Sequence, residues 1–353
     1  MAEVTNPPSR PLGRSVFVTG ANGYLGSAVC RAFVRAGWRT YGLVRRPESA
    51  SALAIEEIVP IVGSIAHNAT FLEDLYKHTK TIDVIVSCTE QIPFGTHYQA
   101  LIGLLRKLAE TSNRNGVRPL VLISSGVKDY AVTGVHGSPG LAPLTEDSPL
   151  DGMDLVQERA TSCLDIFNHT DLFDGVVLRP TPLFGYGGSY YGVTLELAAA
   201  AAGSPERILR IPADFNVILH GCHVDDCAEA YLSLAEHPAR DAVSGQSFNV
   251  SGYRYETLGD LAEAITSEYD LQGVVPISKD EDAVPGSEIL FGVSQWVDST
   301  KIRQLTGWSD KRMLMTENLH AYRVAYEDAA KRGDEGVQRI KERVELIFAP
   351  VRK

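Results

Sequence analysis

The segment Thr19–Gly26, with the sequence TGANGYLG, constrains this chain more than any other feature. Its glycines recur at every third residue between an apolar run, Ser15–Thr19, and a stretch whose apolar residues have helical spacing. One glycine permits a tight turn, a second lets the backbone approach a pyrophosphate, and a third allows close packing of helix and strand. The helix N-terminus adds backbone N–H groups and the positive end of its dipole. The segment therefore predicts a dinucleotide-binding turn, and the alternative is a glycine-rich turn without a ligand.

The first half of the chain alternates short apolar runs with helical patterns. This alternation predicts βαβ units and a doubly wound parallel α/β sheet of the Rossmann type, with right-handed crossovers. A helix is predicted over His97–Thr111. Besides Ser15–Thr19, the predicted strands are Thr40–Val44, Ile58–Val62, Val84–Ser87, Leu120–Ser124 and Val176–Leu178.

The second half, after about Pro180, has a different pattern. Helices are predicted at Thr194–Ala202 and His223–Leu234, a short strand at Phe248–Val250, and mostly helix from Thr257 to an amphipathic stretch, Glu317–Phe348. We expect residues 1–14 to be a flexible N-terminus and residues 15–185, with 220–250 returning, to form the dinucleotide-binding domain. Residues 186–219 and 251–353 are expected to form a smaller substrate-binding subdomain over the carboxyl ends of the strands.

Composition excludes several function classes. The formal net charge of −11 disfavours nucleic acid as a partner, because an acidic chain repels phosphate backbones. The apolar runs are all shorter than the roughly 20 residues that span a bilayer, so no membrane partner is expected. The five cysteines are odd in number and lack C-x-x-C spacing, which favours reduced thiols in a cytoplasmic protein and no metal site.

Arg45 and Arg46 follow the second predicted strand. An acidic residue at this position would accept hydrogen bonds from the adenosine ribose, whereas arginine binds a 2′-phosphate through charge-assisted contacts. These residues favour NADP(H) over NAD. The alternative is that they are two solvated surface arginines.

The chain resembles the extended short-chain dehydrogenase/reductase superfamily, in its epimerase/dehydratase branch. Similar segments follow one another in the family's order from about Ser15 to Trp308. They are VFVTGANGYLGSAV, VLISSGV, LTEDSPLD, VVLRPTPLFGYGG, HGCHVDDCAEAYL, SFNVSGYRYETLGDLAEAI and WVDSTKIRQLTGW. The resemblance implies a doubly wound nucleotide-binding sheet with a small C-terminal substrate subdomain.

The resemblance also assigns cofactor contacts residue by residue. It implies that Arg45 lies near the adenosine ribose phosphate and that Pro180 lies by the nicotinamide amide. It also implies that Cys88 and Thr89 lie along the nicotinamide ribose. Ser64 departs from the family, which usually has an aspartate there for the adenine, and serine is a weaker, neutral partner. The residues implied at the pyrophosphate are Gly20, Asn22, Gly23, Tyr24 and Leu25.

The family's Tyr-x-x-x-Lys pair is missing from this chain. In relatives the tyrosine moves the proton and the lysine lowers its pKa, while a serine, here Ser125, binds the substrate oxygen. The expected positions fall near Leu155 and Arg159, and a slip of a residue or two would not restore the pair, because no Tyr or Lys occurs between Gly134 and Phe173. Arg159 can keep the charge and the ribose contact, but its pKa is too high for it to serve readily as an acid or base.

Three readings of the function follow. The leading one is an NADP(H)-dependent oxidoreductase that acts on a small carbonyl or alcohol of secondary metabolism. In this enzyme Ser125 orients the substrate, and Tyr130 or Tyr190 moves the proton. The others are a non-redox isomerase, lyase or cyclase, and a catalytically silent NADP(H) sensor. A homodimer is expected by analogy. Further candidates for the acid or base are Glu90, Lys128, Tyr186 and Tyr191, and the alternative for each tyrosine is a packing role.

Overall fold

The structure is a computed structural model that describes residues 13–65, 70–277 and 292–348, with side chains described as far as residue 342. Most of the predicted flexible N-terminus, residues 1–12, lies outside the described residues. The chain divides into two compact units. The first unit combines Met1–Ser124, Ser162–Val177 and Tyr231–Gln246, and the second combines Ser125–Thr161, Leu178–Ala230 and Ser247–Lys353. The domain boundaries derived from the sequence stay a prediction.

Strands and helices alternate through the first part of the chain, as the sequence pattern predicts. The predicted helix at His97–Thr111 extends further at both ends. The elements are β1 (Ser15–Thr19), α1 (Tyr24–Arg35), β2 (Arg39–Val44), α2 (Ala50–Ile55), β3 (Val59–Val62), α3 (Phe71–His78), β4 (Val84–Ser87), α4 (Phe94–Arg114) and β5 (Leu120–Ser124).

Shorter strands and more helices follow. The elements are α5 (Asp154–Ser162), β6 (Asp174–Pro180), β7 (Leu183–Phe184), α6 (Tyr191–Ala202), β8 (Ile208–Ile211), β9 (Ile218–Leu219), β10 (Cys222–His223), α7 (Val224–Ala235), α8 (Arg240–Val243), β11 (Gln246–Val250), β12 (Glu256–Thr257), α9 (Leu258–Glu268), β13 (Gly273–Pro276), α10 (Thr300–Thr306), α11 (Leu319–Lys331) and α12 (Glu335–Phe348).

The central sheet has seven strands in the order β11-β6-β5-β4-β1-β2-β3. The pairs of β1 with β2 and β4, of β2 with β3 and of β4 with β5 are parallel. The predicted doubly wound α/β fold is therefore confirmed. The strand order reverses at β1, where β2 lies on one side and β4 on the other, and ligands of such sheets bind beyond the carboxyl ends of strands at this point.

The core of the first unit explains why its strands are almost wholly apolar. A strand covered on both faces has to bury every side chain, so it loses the polar–apolar alternation of a half-exposed strand. Phe17, Ile85 and Val121 are each 1% exposed or less, and they belong to one buried cluster. Helix α4 contributes Leu101 and Leu105 from its apolar face.

The second unit has its own apolar core, built around α6, α9 and α11. Leu195, Leu258 and Tyr326 belong to this cluster. The amphipathic stretch predicted as one run over Glu317–Phe348 is two helices, because Gly333 adopts a φ of 69°, a left-handed conformation that ends α11. In the described part of the chain, no helix is both long enough and apolar enough to cross a membrane.

Candidate functional site

The turn between β1 and α1 requires glycine at two positions. Gly20 has a φ of +69°, which favours a residue without a Cβ, and its carbonyl accepts a hydrogen bond of 2.8 Å from the Gly23 N–H. A Cβ on Gly26 would lie 2.1 Å from the Gly20 oxygen. The first turn of α1 can therefore pack directly on the loop only because Gly26 has no side chain.

The same turn has the features that a dinucleotide pyrophosphate needs. Helix α1 begins after Gly23, and no side chain caps its N-terminus in the described structure. The Asn22 amide donates to the Ser49 hydroxyl at 3.1 Å, and the Ala21 N–H donates to the Leu43 carbonyl at 3.3 Å, so the loop is held against the chain that follows β2. The backbone N–H groups of this helix end, with its dipole, suit an anion. The particular contacts assigned to Asn22 and the neighbouring residues Tyr24 and Leu25 stay predictions.

The chain beyond β2 and β3 carries the residues predicted at the adenosine. Arg45 and Arg46 directly follow β2 and are exposed, while Ser64 follows β3 and is half-buried. Because β3 pairs with β2 in parallel, these residues come from adjacent strand ends of one sheet edge. Two exposed guanidinium groups there fit a phosphate ester, and their role stays a prediction.

Cys88 and Thr89, predicted at the nicotinamide ribose, lie beside the glycine turn. The Cys88 N–H donates to the Thr19 carbonyl at 3.2 Å, and a Cβ on Gly20 would meet the Thr89 methyl group at 2.8 Å. Burial raises the pKa of the Cys88 thiol to about 12, so the thiol stays protonated at neutral pH. The structure thus brings two separate sequence segments together at the switch point of the sheet.

In the second unit, Ser125 and Arg159 meet at a carboxylate that the sequence reasoning missed. Asp129 is fully buried, and it accepts a hydrogen bond of 2.5 Å from the Ser125 hydroxyl. The Arg159 guanidinium donates to the same carboxylate at 2.7 Å and 3.0 Å, and Arg179 donates at 3.3 Å. The four side chains form one polar cluster around a fully buried carboxylate, which we call the Asp129 cluster.

The Asp129 cluster changes what Ser125 and Arg159 can do. The Ser125 proton is directed at Asp129, so the Ser125 oxygen presents its lone pairs to other groups. Part of the positive charge of Arg159 is balanced by Asp129, and the residue is only 9% exposed. The predicted contact of Arg159 with a ribose stays a prediction. The signal available in the sequence was an aspartate four residues after Ser125, but nothing local indicated that two distant arginines would pair with it.

Tyr130 is placed in a packed environment. It is 1% exposed, its hydroxyl donates to the Asn249 side-chain oxygen at 2.9 Å, and its ring packs with Val127 and Val297. Burial raises its pKa to about 12, and the Arg179 guanidinium lies 5.4 Å from the ring centroid. These contacts describe a hydroxyl that already has an acceptor. Proton transfer by Tyr130 stays a prediction.

The tyrosines after β6 occupy three different settings. Tyr190 is half-buried and packs against the apolar core of the second unit. Tyr186 donates its hydroxyl to Asp225 at 2.7 Å, and Tyr191 is buried at 2% exposure. Pro180, predicted at the nicotinamide, is half-buried at the end of β6. The role of Tyr190 in catalysis also stays a prediction.

Among the side chains of residues 13–65, 70–277 and 292–342, no three His, Cys, Asp or Glu are grouped so that they could hold a metal ion. The five cysteines all lie in the described part of the chain and form no disulfide there, and four of them, Cys30, Cys163, Cys222 and Cys227, are buried.

Comparison with known proteins places these features in a family. Residues 16–251 match the NAD dependent epimerase/dehydratase family. The spore coat polysaccharide biosynthesis protein SpsK of Bacillus subtilis (strain 168) is 25% identical over 230 residues, which cover 63% of this chain and 70% of that protein.

Solved structures share the fold at low sequence identity. The dTDP-glucose 4,6-dehydratase of Bacillus anthracis str. Ames, in complex with NAD, has a TM-score of 0.69 at 16% identity, and the match covers 93% of this chain and 100% of that one. The UDP-glucose 4-epimerase of Bifidobacterium longum, in complex with NAD+ and UDP, has a TM-score of 0.63 at 16% identity, with 90% and 99% covered. At these identities the likeness shows the fold alone.

Proposed function

The chain belongs to the NAD dependent epimerase/dehydratase family, and from this premise we propose that it is an NADP(H)-dependent oxidoreductase of a small alcohol or carbonyl substrate. The observation that carries the proposal is the turn after β1, where glycine is required at Gly20 and Gly26 and where an uncapped helix begins. Such a turn has a physical reason to exist if a pyrophosphate rests on it. Solved relatives with this fold were crystallised with NAD, which supports a nicotinamide nucleotide here.

The preference for NADP(H) over NAD rests on Arg45 and Arg46. They follow β2, where an acidic residue would accept hydrogen bonds from a free ribose diol. Arginine pairs in a bidentate, charge-assisted way with a phosphate ester and offers no acceptor to a hydroxyl. The positive charge at this strand end therefore favours binding of NADP(H) over NAD.

The bound nicotinamide would supply or accept a hydride, and the chain's own residues would handle the proton. We assign the substrate hydroxyl to Ser125, because the Ser125 oxygen can accept a hydrogen bond while its own proton is directed at Asp129. During oxidation of an alcohol, the substrate proton passes to the Ser125 oxygen and the Ser125 proton passes to the Asp129 carboxylate. Reduction runs the same transfers backwards.

This assignment favours the Ser125–Asp129 pair over Tyr130 as the route of the proton. The Tyr130 hydroxyl is committed to Asn249, and the residue is 1% exposed. Arg159 and Arg179 hold the carboxylate in place through hydrogen bonds at both of its oxygens. In this role the arginines are positioning residues, which suits groups whose own pKa is too high for proton transfer.

The test combines binding with turnover in the full-length protein. Titration of NADPH and NADH, followed by nicotinamide fluorescence, should give tighter binding for NADPH. Absorbance at the nicotinamide band should then report turnover with a panel of alcohols, aldehydes and ketones, including free and nucleotide-linked sugars. Ser125→Ala should lower kcat about a hundredfold or more if it carries the proton, while Ser51→Ala, an exposed site on α2, should leave kcat unchanged. Equal rates for both variants would refute the proton route.

One observation favours a second candidate, a nucleotide-binding protein without redox turnover. The family resemblance predicts the catalytic tyrosine near Leu155, whose side chain cannot move a proton and which is 56% exposed. Tight NADPH binding with no turnover across the whole panel would support this candidate. Conversion of a substrate without consumption of NADPH, as in an isomerisation, would instead support a non-redox isomerase, lyase or cyclase.

A further inference from the structure

A side-chain hydrogen bond joins the glycine turn to the segment that carries the two exposed arginines. The Asn22 amide, in the turn between β1 and α1, donates to the Ser49 hydroxyl at 3.1 Å. Ser49 is 5% exposed, although the four residues before it, 45–48, are all exposed. Ser49 is therefore a buried anchor at the end of an exposed segment, and the bond ties this anchor to the turn.

The segment between Arg46 and Ser49 is short and stiff. Pro47–Ser49 forms a single 3₁₀ turn, in which the Ser49 N–H donates to the Arg46 carbonyl at 3.1 Å. The ring of Pro47 fixes its φ and removes one of the few torsions about which the segment could move. The backbone of Arg46 therefore follows the position of Ser49.

The other contacts between the turn and this part of the chain lie within β2. The Ala21 N–H donates to the Leu43 carbonyl at 3.3 Å, and a Cβ on Gly42 would lie only 2.7 Å from the Ala21 Cβ. The turn is thus packed directly on β2, before the two arginines in the sequence. The hydrogen bond from Asn22 to Ser49 lies after them, so the arginine segment is held to the turn on both sides.

We propose that Ser49 is a positioning residue for the choice of cofactor, because it holds Arg45 and Arg46 at a fixed place relative to the glycine turn. The inference rests on the proposed function, in which the pyrophosphate lies on the turn and the 2′-phosphate of NADP(H) lies at the arginines. NADP(H) contacts both places at once, so its affinity depends on how they are placed relative to each other. A segment that is already in place does not have to be ordered when the ligand binds. NAD(H) has no 2′-phosphate and does not depend on that placement.

The first test is Ser49→Ala, with affinities for NADPH and NADH measured by calorimetry on the full-length protein. The variant removes the acceptor of the Asn22 amide. NADPH binding should weaken roughly three- to tenfold, which corresponds to one neutral hydrogen bond. NADH binding should stay unchanged, so the preference for NADPH should fall by the same factor. A residue that only stabilised the fold would weaken both nucleotides alike, and that result would overturn the proposal.

A double-mutant cycle tests whether the hydrogen bond itself is the cause. Asn22→Ala removes the donor, and any direct contact of Asn22 with the pyrophosphate affects NADPH and NADH equally. In the Asn22→Ala protein, Ser49→Ala should therefore cause no further change in the ratio of the two affinities. If Ser49→Ala lowered this ratio by the same factor with and without Asn22, the bond between the two side chains would not be the cause.

Ser51→Ala is the matched control, because it is the same substitution two residues further along, at an exposed position of α2. It should leave both affinities unchanged. The unchanged protein separates the two proposals. If it did not prefer NADPH, the proposed function would be refuted and this inference with it. A clear preference for NADPH that persisted in Ser49→Ala would refute the role of Ser49 alone.

Discussion

Gly26→Ala and Gly103→Ala are the same substitution in two helices, and the structure predicts opposite outcomes. Gly26 lies in the first turn of α1, where a Cβ would be 2.1 Å from the Gly20 oxygen. Gly103 lies on the exposed face of α4, where a Cβ would meet nothing within 4 Å. The pair therefore isolates the steric requirement of the turn from the general preference of helices for alanine.

The expected magnitudes follow from two opposing terms. Replacing glycine by alanine inside a helix stabilises it by about 0.5–1 kcal/mol, and Gly103→Ala should show this gain. At Gly26 the obstacle is a backbone atom, the Gly20 oxygen, which also accepts a hydrogen bond from the Gly23 N–H. Forcing a methyl group into packed structure costs about 1–3 kcal/mol, and weakening that hydrogen bond adds about 1 kcal/mol. We expect Gly26→Ala to destabilise the protein by about 1–3.5 kcal/mol after the helical gain is subtracted.

Urea unfolding measures the change in the free energy of unfolding in both variants, provided that its dependence on urea concentration stays the same. Calorimetry measures the affinity of each variant for NADPH. Gly26→Ala should also weaken NADPH binding by tenfold or more, because the loop has to move away from the helix end, whereas Gly103→Ala should leave it unchanged. If Gly26→Ala proved as stable as Gly103→Ala and bound NADPH equally well, the close packing of loop on helix would be wrong. The assignment of the turn to a pyrophosphate would then lose its physical basis.

Other residues give independent predictions. Asp129→Asn leaves the buried Arg179 and Arg159 without their carboxylate and should cost about 3–5 kcal/mol in urea unfolding. Asp171→Asn, at an exposed aspartate that pairs with Arg106, should lower the free energy of unfolding far less. Equal losses of stability in the two variants would contradict the buried charge pairing at Asp129. Arg45→Asp should reverse the preference in calorimetry from NADPH toward NADH, and an unchanged ratio would remove Arg45 from the 2′-phosphate site. Burial lowers the pKa of His220 to about 4, and an unfolded histidine titrates near 6.5. The unfolded state therefore takes up the proton first, so stability present above about pH 6.5 should fall by up to ~3 kcal/mol as the pH drops to about 4. His220→Gln should flatten this part of the profile, and an unchanged slope would contradict it.

Much of the first unit could be predicted because its signals are local. The glycine spacing from Gly20 to Gly26 and the apolar runs are read from neighbouring residues, and the strands at Ser15–Thr19, Val84–Ser87 and Leu120–Ser124 have the predicted bounds. Once strands alternate with helices, the handedness of the crossovers leaves few topologies for the sheet. The break at Gly333 was less visible, because the same apolar spacing continues on both sides of it and glycine occurs within helices as well.

The Asp129 cluster could not be predicted, since it depends on residues that are distant in the sequence. Asp129 has no local mark that distinguishes it from a surface aspartate, and its partners Arg159 and Arg179 come from a helix and a strand further along the chain. The Tyr130 hydroxyl shows the same limit, because its acceptor, the Asn249 side chain, is distant in the sequence.

The sequence by itself determined that this chain forms a parallel sheet with a glycine turn suited to a dinucleotide, because backbone preference and apolar period act over a few residues. The tertiary structure alone decided which buried charges are neutralised and which hydroxyls are buried with an acceptor. Those outcomes depend on the burial of side chains from separate elements, where the cost of an unpaired group is set by everything packed around it.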